Sequence, residues 1–233
     1  MHGAMCISYS GRCLLSNYLA GRDSNRGACV QACRWEYTIT EKSRKGQQYE
    51  IQEDDKGTYI LNSKDLCMIE HLNELIDAGI TSFKIEGRMK SEYYVANVVN
   101  AYFRALNNKN PLPELKAELQ KCSHRQYTTG FYFNAKDKEC LETSMPIQTH
   151  EFMALVLETY NDGYIKIEQR NRFKVGDTLE ILSPSALFNM QILVKEIKNE
   201  NGEQITDAKQ VQSILYLGTD LPIKQGDILR KKI

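Results

Sequence analysis

Apolar positions change their spacing twice along this chain, and the changes mark out its elements. A short apolar run from Thr58 to Leu61 reads as a strand, followed by the cap-like Asn62-Ser63. Leu66, Ile69, Leu72 and Ile76 then keep helical spacing up to Gly79, which suits a left-handed helix end. Thr81 to Glu86 reads as the next strand. Ser91 opens a second helix, whose Tyr94, Val98, Tyr102 and Ala105 recur on one face through Leu106. Strand, helix, strand, helix in this order predicts parallel strands joined by right-handed crossovers, hence an α/β sheet or barrel. Parallel strands need cover on both faces, and two such units cannot close a barrel. The fold is therefore either small and open or lacks earlier strands. Met1 to Met5 reads as the tail of a strand already inside a motif, which favours the second reading: a truncated chain.

After Asn110-Pro111-Leu112-Pro113, a short helical stretch from Glu114 to Cys122 leads into the aromatic segment Tyr127 to Phe133. From Phe152 onward helical periodicity disappears. Candidate strands run Met153 to Thr159, Tyr164 to Gln169, Thr178 to Leu182, Gln191 to Lys198, Val211 to Tyr216 and Asp227 to Lys231. Asn161-Asp162-Gly163 and Asn199-Glu200-Asn201-Gly202 supply turns, and the pattern predicts a small closed antiparallel β-barrel. Lys174-Val175-Gly176-Asp177-Thr178-Leu179 resembles Lys224-Gln225-Gly226-Asp227-Ile228-Leu229, as though each Gly-Asp turn feeds an equivalent strand. The expected divisions are an α/β part over 1–110, a connecting segment over 111–150 and the β-domain over 151–233.

Charge changes the picture only locally. Thirty basic residues balance thirty acidic ones, so overall charge favours neither nucleic acid nor membrane as a partner. From Met1 to Lys45, however, Arg12, Arg22, Arg26, Arg34, Lys42, Arg44 and Lys45 outweigh Asp23, Glu36 and Glu41. No run approaches the roughly 20 apolar residues of a membrane span, and the first residues lack a signal-peptide layout, so a cytoplasmic location is expected.

A reducing compartment makes disulfides unfavourable, so clustered thiols there read as metal ligands or catalytic groups. The spacing is Cys6-x6-Cys13-x15-Cys29-x3-Cys33, with Cys67 at the start of the expected helix. Four thiolates complete either a zinc or an iron-sulfur site, but the paired C-x2-C knuckles common in zinc ribbons are missing. Ligands spread through a long Gly-, Ser- and Arg-rich loop suit a cuboidal cluster better, and Arg12, Arg22 and Arg34 would favour ionised thiolates. The plain alternative is that these cysteines are small buried hydrophobes. That alternative is preferred for Cys122 and Cys140, which have no partner pattern.

Residues His2 to Ser16, with Gly3, Cys6, Gly11 and Cys13, resemble the signature of the peptidase U-32 family of collagenase-like proteins. Phe83 to Ser91 is similar to its second marker, and Asn62 to Cys67 and Tyr127 to Phe131 also fit. The usual signature begins a few residues earlier, with an acidic and an aromatic residue that are missing here. The resemblance spans essentially the whole chain. It implies a partial TIM-like barrel, of which this chain retains the last three strands, followed by the all-β antiparallel barrel. It also implies a [4Fe-4S] cluster in the full-length protein, which a fragment can lack. Cys6, Cys13 and Cys29 are then the expected ligands, with Cys67 preferred as the fourth and Cys33 as its alternative. The chemistry implied is hydroxylation of RNA, on the tRNA wobble uridine with prephenate as a linked small carboxylate, or of a quinone precursor.

Strand alternation would put Ser82, Lys84 and Glu86 on one face, with Lys84 and Glu86 pointing into the barrel and Phe83 and Ile85 toward helices. Arg88 would emerge on the C-terminal loop, where barrel enzymes place their sites, as a bidentate clamp for carboxylate or phosphate. A structural Lys84–Glu86 ion pair is the plain alternative. His2 sits at a similar strand end and is a further catalytic candidate. Trp35 and Tyr37 could stack on a base or belong to the core, while His71, His124 and His150 have no constellation around them. Competing with RNA modification are proteolysis, for which the chain offers neither His-Glu-x-x-His nor Gly-x-Ser-x-Gly, and a non-catalytic binding role. Missing strands would expose sheet edges, so association with another copy of the chain is expected.

Overall fold

The computed structural model describes residues 1–6, 13–35, 52–54, 57–59, 64–134, 146–160 and 162–233. They form two compact units, each assembled from separate stretches: Met1–Arg88 with His124–Ile147, and Met89–Ser123 with Gln148–Ile233.

The first unit is built on β1 (His2–Ala4), the hairpin β2 (Gln52–Asp54) and β3 (Gly57–Tyr59), β4 (Asp65–Cys67), β5 (Ile85–Glu86) and β6 (Tyr127–Thr128), with helices α1 (Leu15–Ala20) and α2 (Leu72–Asp77). Four of its strands share a sheet in the order β5-β1-β4-β6. The pairs β1–β5 and β4–β6 are parallel, as the alternation predicts, but β1 and β4 run antiparallel. Among the described residues the α-helix between β1 and β4 is α1, whose six residues rise only about 9 Å, too short for a crossover. Residues 65–67 are also a strand rather than a helix. Their backbone is claimed on both sides, and the Asp65 N–H donates to the Gln126 carbonyl at 2.9 Å. The helix starts only at Leu72, burying Leu72 and Leu75 behind Met68 and Ile69, and it stops before Gly79 at φ +81°. The expected strand at 58–61 is seen as the hairpin strand Gly57–Tyr59; residues 60 and 61 lie outside the described residues.

In the second unit, α3 (Glu92–Leu106) starts where the Ser91 hydroxyl accepts the Tyr94 N–H, a side-chain cap. Its buried residues include the expected Tyr94, Val98 and Tyr102, but also Asn97, Asn100 and Arg104. Helix α4 (Leu112–Leu119) follows. The strands are β7 (His150–Thr159), β8 (Tyr164–Gln169), β9 (Phe173–Lys174), β10 (Thr178–Leu182), β11 (Gln191–Leu193), β12 (Ile197–Lys198), β13 (Gln204–Ile205), β14 (Asp207–Ala208), β15 (Ile214–Gly218) and β16 (Ile228–Lys232). Eight of them make one antiparallel sheet, β11-β10-β16-β7-β8-β15-β12-β13, while β9 pairs with β14. Alternate residues such as Ile165, Ile167, Leu179, Ile181, Leu215 and Leu217 point into a single core closed by Phe173 and Ala208.

The sheet is curled but not the closed barrel expected: among the described residues β11 and β13 remain its edges. These strands are three and two residues long and cannot carry a ladder around. The loop before β10 spans part of the gap, with Gly176 N–H donating to the Val194 carbonyl at 2.8 Å and Val175 N–H to that of Thr206 at 2.9 Å. The internal repeat has a physical basis here. Asp177 and Asp227 each accept the backbone N–H three residues back, of Lys174 and Lys224, both at 2.9 Å. Gly176 (φ +91°) and Gly226 (φ +88°) take the left-handed turn position, and the turns feed β10 and β16, which pair with each other.

Helices α3 and α4 join this sheet through polar groups. Arg104 donates to the carbonyls of Ser183 at 3.0 Å and Ser185 at 2.8 Å, and Asn100 donates to Ser183. Arg230 of β16 is fully buried. It donates to Glu180 at 2.8 Å, to Asn97 at 2.8 Å and to Asn189 at 2.6 Å, and lies 2.6 Å from the Glu118 carboxylate. Lys121 completes the set, 3.0 Å from Glu118 and 2.7 Å from Glu180. Burial opposes ionisation of Glu118, but Arg230 and Lys121 outweigh it and hold the carboxyl below its usual range. Removing one partner of such a pair strands a buried charge, so Glu118→Gln is expected to lower unfolding free energy by roughly 3–5 kcal/mol in urea titrations. His150, 4.0 Å from Glu180, is pushed by burial down to about 4. The unfolded imidazole binds its proton first, so stability falls as pH drops from about 6.5 to about 4. Thermal transitions recorded across that window should shift less in His150→Gln than in the parent.

Candidate functional site

The motif residues of the first unit gather around β1. Its register pairs His2 with Cys67 and Ile85, and Gly3 with Leu66 and Glu86. Paired residues share a face, so His2 and Glu86 are on opposite faces. Gly3, at φ +111°, lets the two strands approach: a Cβ there would stand 2.2 Å from the Glu86 carbonyl oxygen.

Glu86 organises the turn after β5. One carboxylate oxygen accepts the Arg88 N–H at 3.1 Å, and the other lies 3.5 Å from the Lys84 ammonium. Lys84 is 78% exposed, so it does not point into an interior as expected. Residues 81–84 are not strand, and without a strand there is no alternation to turn Lys84 inward. Arg88 lies over Gly27, and its Nη2 donates to the Arg26 carbonyl at 3.3 Å. Gly27, at φ +73°, has no side chain to block the guanidinium; a Cβ would fall 1.3 Å from Nη2. Arg88 thereby ties the end of β5 to the loop that carries Cys29 two residues on.

That loop is held by its own polar contacts. Ser24 Oγ donates to the Cys13 carbonyl at 3.0 Å, Val30 N–H donates to Ser16 Oγ at 3.1 Å, and Gln31 N–H donates to the Cys29 sulfur at 3.3 Å. Cys6 is exposed, and Cys13, Cys29, Cys33 and Cys67 are half-buried. Among the described residues no three His, Cys, Asp or Glu side chains converge as a metal-binding group. The thiols suit an iron-sulfur cluster by donor chemistry. Cys122 is buried, its thiol pushed up to about 11 by that burial, in keeping with an ordinary core residue. Cys140, Arg12, Tyr37 and the Arg34 side chain lie outside the described residues, while Trp35 is 41% exposed.

Sequence reasoning missed a second group on the His2 face. The buried His2 ring is 5.3 Å from Tyr127, which stacks at 4.3 Å on His124. His124 Nδ1 lies 2.6 Å from the Arg125 carbonyl; a carbonyl only accepts, so Nδ1 carries the proton. Asp65, almost wholly buried, accepts the Arg125 N–H at 3.1 Å. Some 120 residues separate His2 from His124, and only the β1-β4-β6 pairing brings them close, so no local signal announces the group.

The signature residues around Gly3, Cys6 and Arg88 thus share one structural unit, and comparison with known proteins names their class. A family profile described as Peptidase family U32 matches residues 1–142, and one described as Peptidase family U32 C-terminal domain matches residues 148–230. The chain belongs to peptidase family U32. It is 35% identical over 241 residues to tRNA hydroxylation protein P1 of Bacillus subtilis, covering 99% of this chain and 57% of that protein. It is 42% identical over 138 residues to a 23S rRNA 5-hydroxycytidine synthase of Escherichia coli, covering 59% of this chain and 19% of that protein. An uncharacterized protease of Methanocaldococcus jannaschii is 35% identical over 224 residues, covering 88% and 54% respectively. The chain thus spans little more than half the length of the tRNA hydroxylation protein it matches. The profiles meet near residue 145, whereas the compact units place α3 and α4 with the β-sheet.

The two glycines differ in what a side chain would meet. At Gly3 it meets backbone, and at Gly27 the movable end of Arg88. Gly3→Ala is expected to cost roughly 3 kcal/mol and Gly27→Ala about 1 kcal/mol, so thermal denaturation should separate them clearly. Equal effects would show that the β1–β5 approach is not tight.

Proposed function

We propose that the protein acts in hydroxylation of RNA, on the wobble uridine of tRNA, with prephenate as the linked carboxylate. The observation that carries this reading is the 35% identity shared with tRNA hydroxylation protein P1 across 99% of the chain. Similarity to the rRNA 5-hydroxycytidine synthase supports RNA as the substrate class, since both relatives are named for hydroxylation in RNA. In this reading Arg88 binds the small carboxylate: its planar fork sits at the surface, steadied by the Arg26 carbonyl, while Glu86 holds the Arg88 backbone N–H. His2 is a positioning residue, since its ring is enclosed against Tyr127. A [4Fe-4S] cluster on Cys6, Cys13 and Cys29, with Cys67 or Cys33 as fourth ligand, belongs to the proposal on thiolate chemistry and spacing. Such a cluster supplies electron transfer. Self-association belongs to it as well, supported by the exposed Val95, Val99 and Phe103 along one face of α3. No helix among the described residues is long and apolar enough to cross a membrane. A peptidase reading is supported by the name of the Methanocaldococcus jannaschii relative.

Two measurements test these assignments. Deleting the gene from its host should remove 5-hydroxyuridine-derived nucleosides from digested tRNA, and complementation by the parent but not by Arg88→Ala should restore them. Unchanged nucleosides together with gelatin cleavage by the purified protein would favour the peptidase. Protein purified without oxygen should carry iron and sulfide that Cys6→Ser, Cys13→Ser or Cys29→Ser abolishes and Cys140→Ser leaves in place; equal iron in all four would refute the ligand set.

A further inference from the structure

Two grooves meet on the curled sheet of the second unit. One, of about 520 Å³, is lined by Tyr160, Tyr164, Lys198 and Tyr216; the other, of about 670 Å³, by Gln169, Asn199, Gln210, Gln212 and Ser213. Glu200 and Asn201 line both, so they form one continuous track.

The first groove is an aromatic surface interleaved with lysines. Tyr216 of β15 pairs across the ladder with Lys166 of β8 and Lys198 of β12, which puts it between two cations on one sheet face. Tyr164, two residues before Lys166, shares that face. The Lys198 ammonium lies 4.1 Å from the Tyr164 ring centre and donates to its hydroxyl, which in turn donates to Glu196 at 2.6 Å. These contacts fix Tyr164 in place. Tyr160 stands 6.1 Å from Tyr216 at 40°, too tilted for the two rings to stack fully on each other. Both half-buried rings line the groove, where a planar ligand can reach them.

The second groove carries hydrogen-bonding amides and one acceptor without a donor. Gln169 is fully buried, and its amide nitrogen donates to the carbonyls of Ala208 at 2.7 Å and Asn171 at 3.1 Å. Two carbonyls cannot face an amide oxygen, so the orientation is set and Oε1 is the acceptor that remains. No described group donates to it. A buried acceptor left this way calls for a donor, which a ligand in the groove can supply. Asn199 spends its amide on its own turn, donating to Glu203 and accepting the N–H groups of Asn201 and Glu203, while Gln210 and Gln212 add side chains that both donate and accept, the complement of a nucleobase edge. The track carries a slight excess of negative charge, with three lysines (Lys166, Lys198 and Lys209) among four carboxylates (Asp162, Glu196, Glu200 and Asp207). Phosphate neutralisation therefore contributes little, and stacking with edge recognition dominates.

We propose that this track binds unpaired RNA, with bases stacked on Tyr160 and Tyr216 and one base N–H donated to Gln169 Oε1. The proposal rests on the RNA reading above and adds the surface that selects single strands. It is tested by fluorescence anisotropy of the full chain with a labelled single-stranded RNA of about 12 nucleotides, the same sequence as a duplex, and a labelled gelatin peptide. The single strand should bind at least tenfold more tightly than the duplex, with a salt dependence equivalent to about one phosphate contact. Tyr160→Ala with Tyr216→Ala should weaken it by tenfold or more, while the Phe replacements retain binding. Thermal transitions matching the parent's would show that these variants fold. Single-strand binding unaffected by the Ala pair would overturn the track and leave RNA hydroxylation intact. Peptide binding that the Ala pair abolishes, or a preference for duplex, would overturn it as well. Confirmed single-strand binding beside unchanged tRNA nucleosides in the deletion strain would instead uphold the track and refute the hydroxylation reading.

Discussion

A guanidinium sealed from water organises the second unit. Arg230 cannot shed its proton, so burying it demands counter-charges with good geometry, and α3 and α4 provide much of what is required. Asn97 comes from α3 and Glu118 from α4, while Glu180 and Asn189 come from the sheet side. Glu118 is likewise fully buried, and Lys121 adds a second cation between it and Glu180. Two cations and two carboxylates balance, and burial keeps His150 neutral beside them. A network of this kind tolerates few alternative packings, because any other placement of the helices would strand a charge. It explains why these helices belong with the β-sheet although one family profile covers them together with the N-terminal region.

The first unit depends on a different constraint, the close passage of backbone past backbone. Gly3 allows β1 to lie against the Glu86 carbonyl, and Gly27 allows Arg88 to cross the cysteine-bearing loop. Both glycines sit where a side chain would collide with something the site uses. The consequence for function is that the Lys84–Arg88 turn and the Cys29 loop are mechanically one piece, so a ligand held by Arg88 would sit next to the loop from which thiolates are proposed to act. The face behind β1, with His2, Tyr127 and His124, is enclosed and aromatic, a setting that orients groups rather than exchanging them with solvent.

How much of this could be read in advance depended on whether a signal was local. Ser91 as a cap, Gly79 as a terminator and the paired Gly-Asp turns before β10 and β16 are short-range features, and each is found as the pattern predicts. The family was legible for the same reason, since its signature is contiguous from His2 to Ser16. The strand at 65–67 was not, because helical spacing of Leu66 and Ile69 competes with hydrogen bonds to segments some 60 residues away in both directions. Lys84 was read as inward because alternation presumes a strand, and strand extent depends on whether a neighbour is there to pair.

By itself the sequence determined the local chemistry: caps, turns, the alternation that buries Ile165, Ile167, Leu215 and Leu217, and the supply of thiols and arginines. Only the tertiary structure decided the antiparallel course of β4, the open edge of the sheet, the joining of Arg88 to Gly27 and the meeting of Arg230 with Glu118 across more than 100 residues. Local preferences follow from sterics and hydrogen bonds within a few residues. Long-range pairings follow from which buried charges and backbone groups find partners once the chain is compact, and no window along the sequence contains both members.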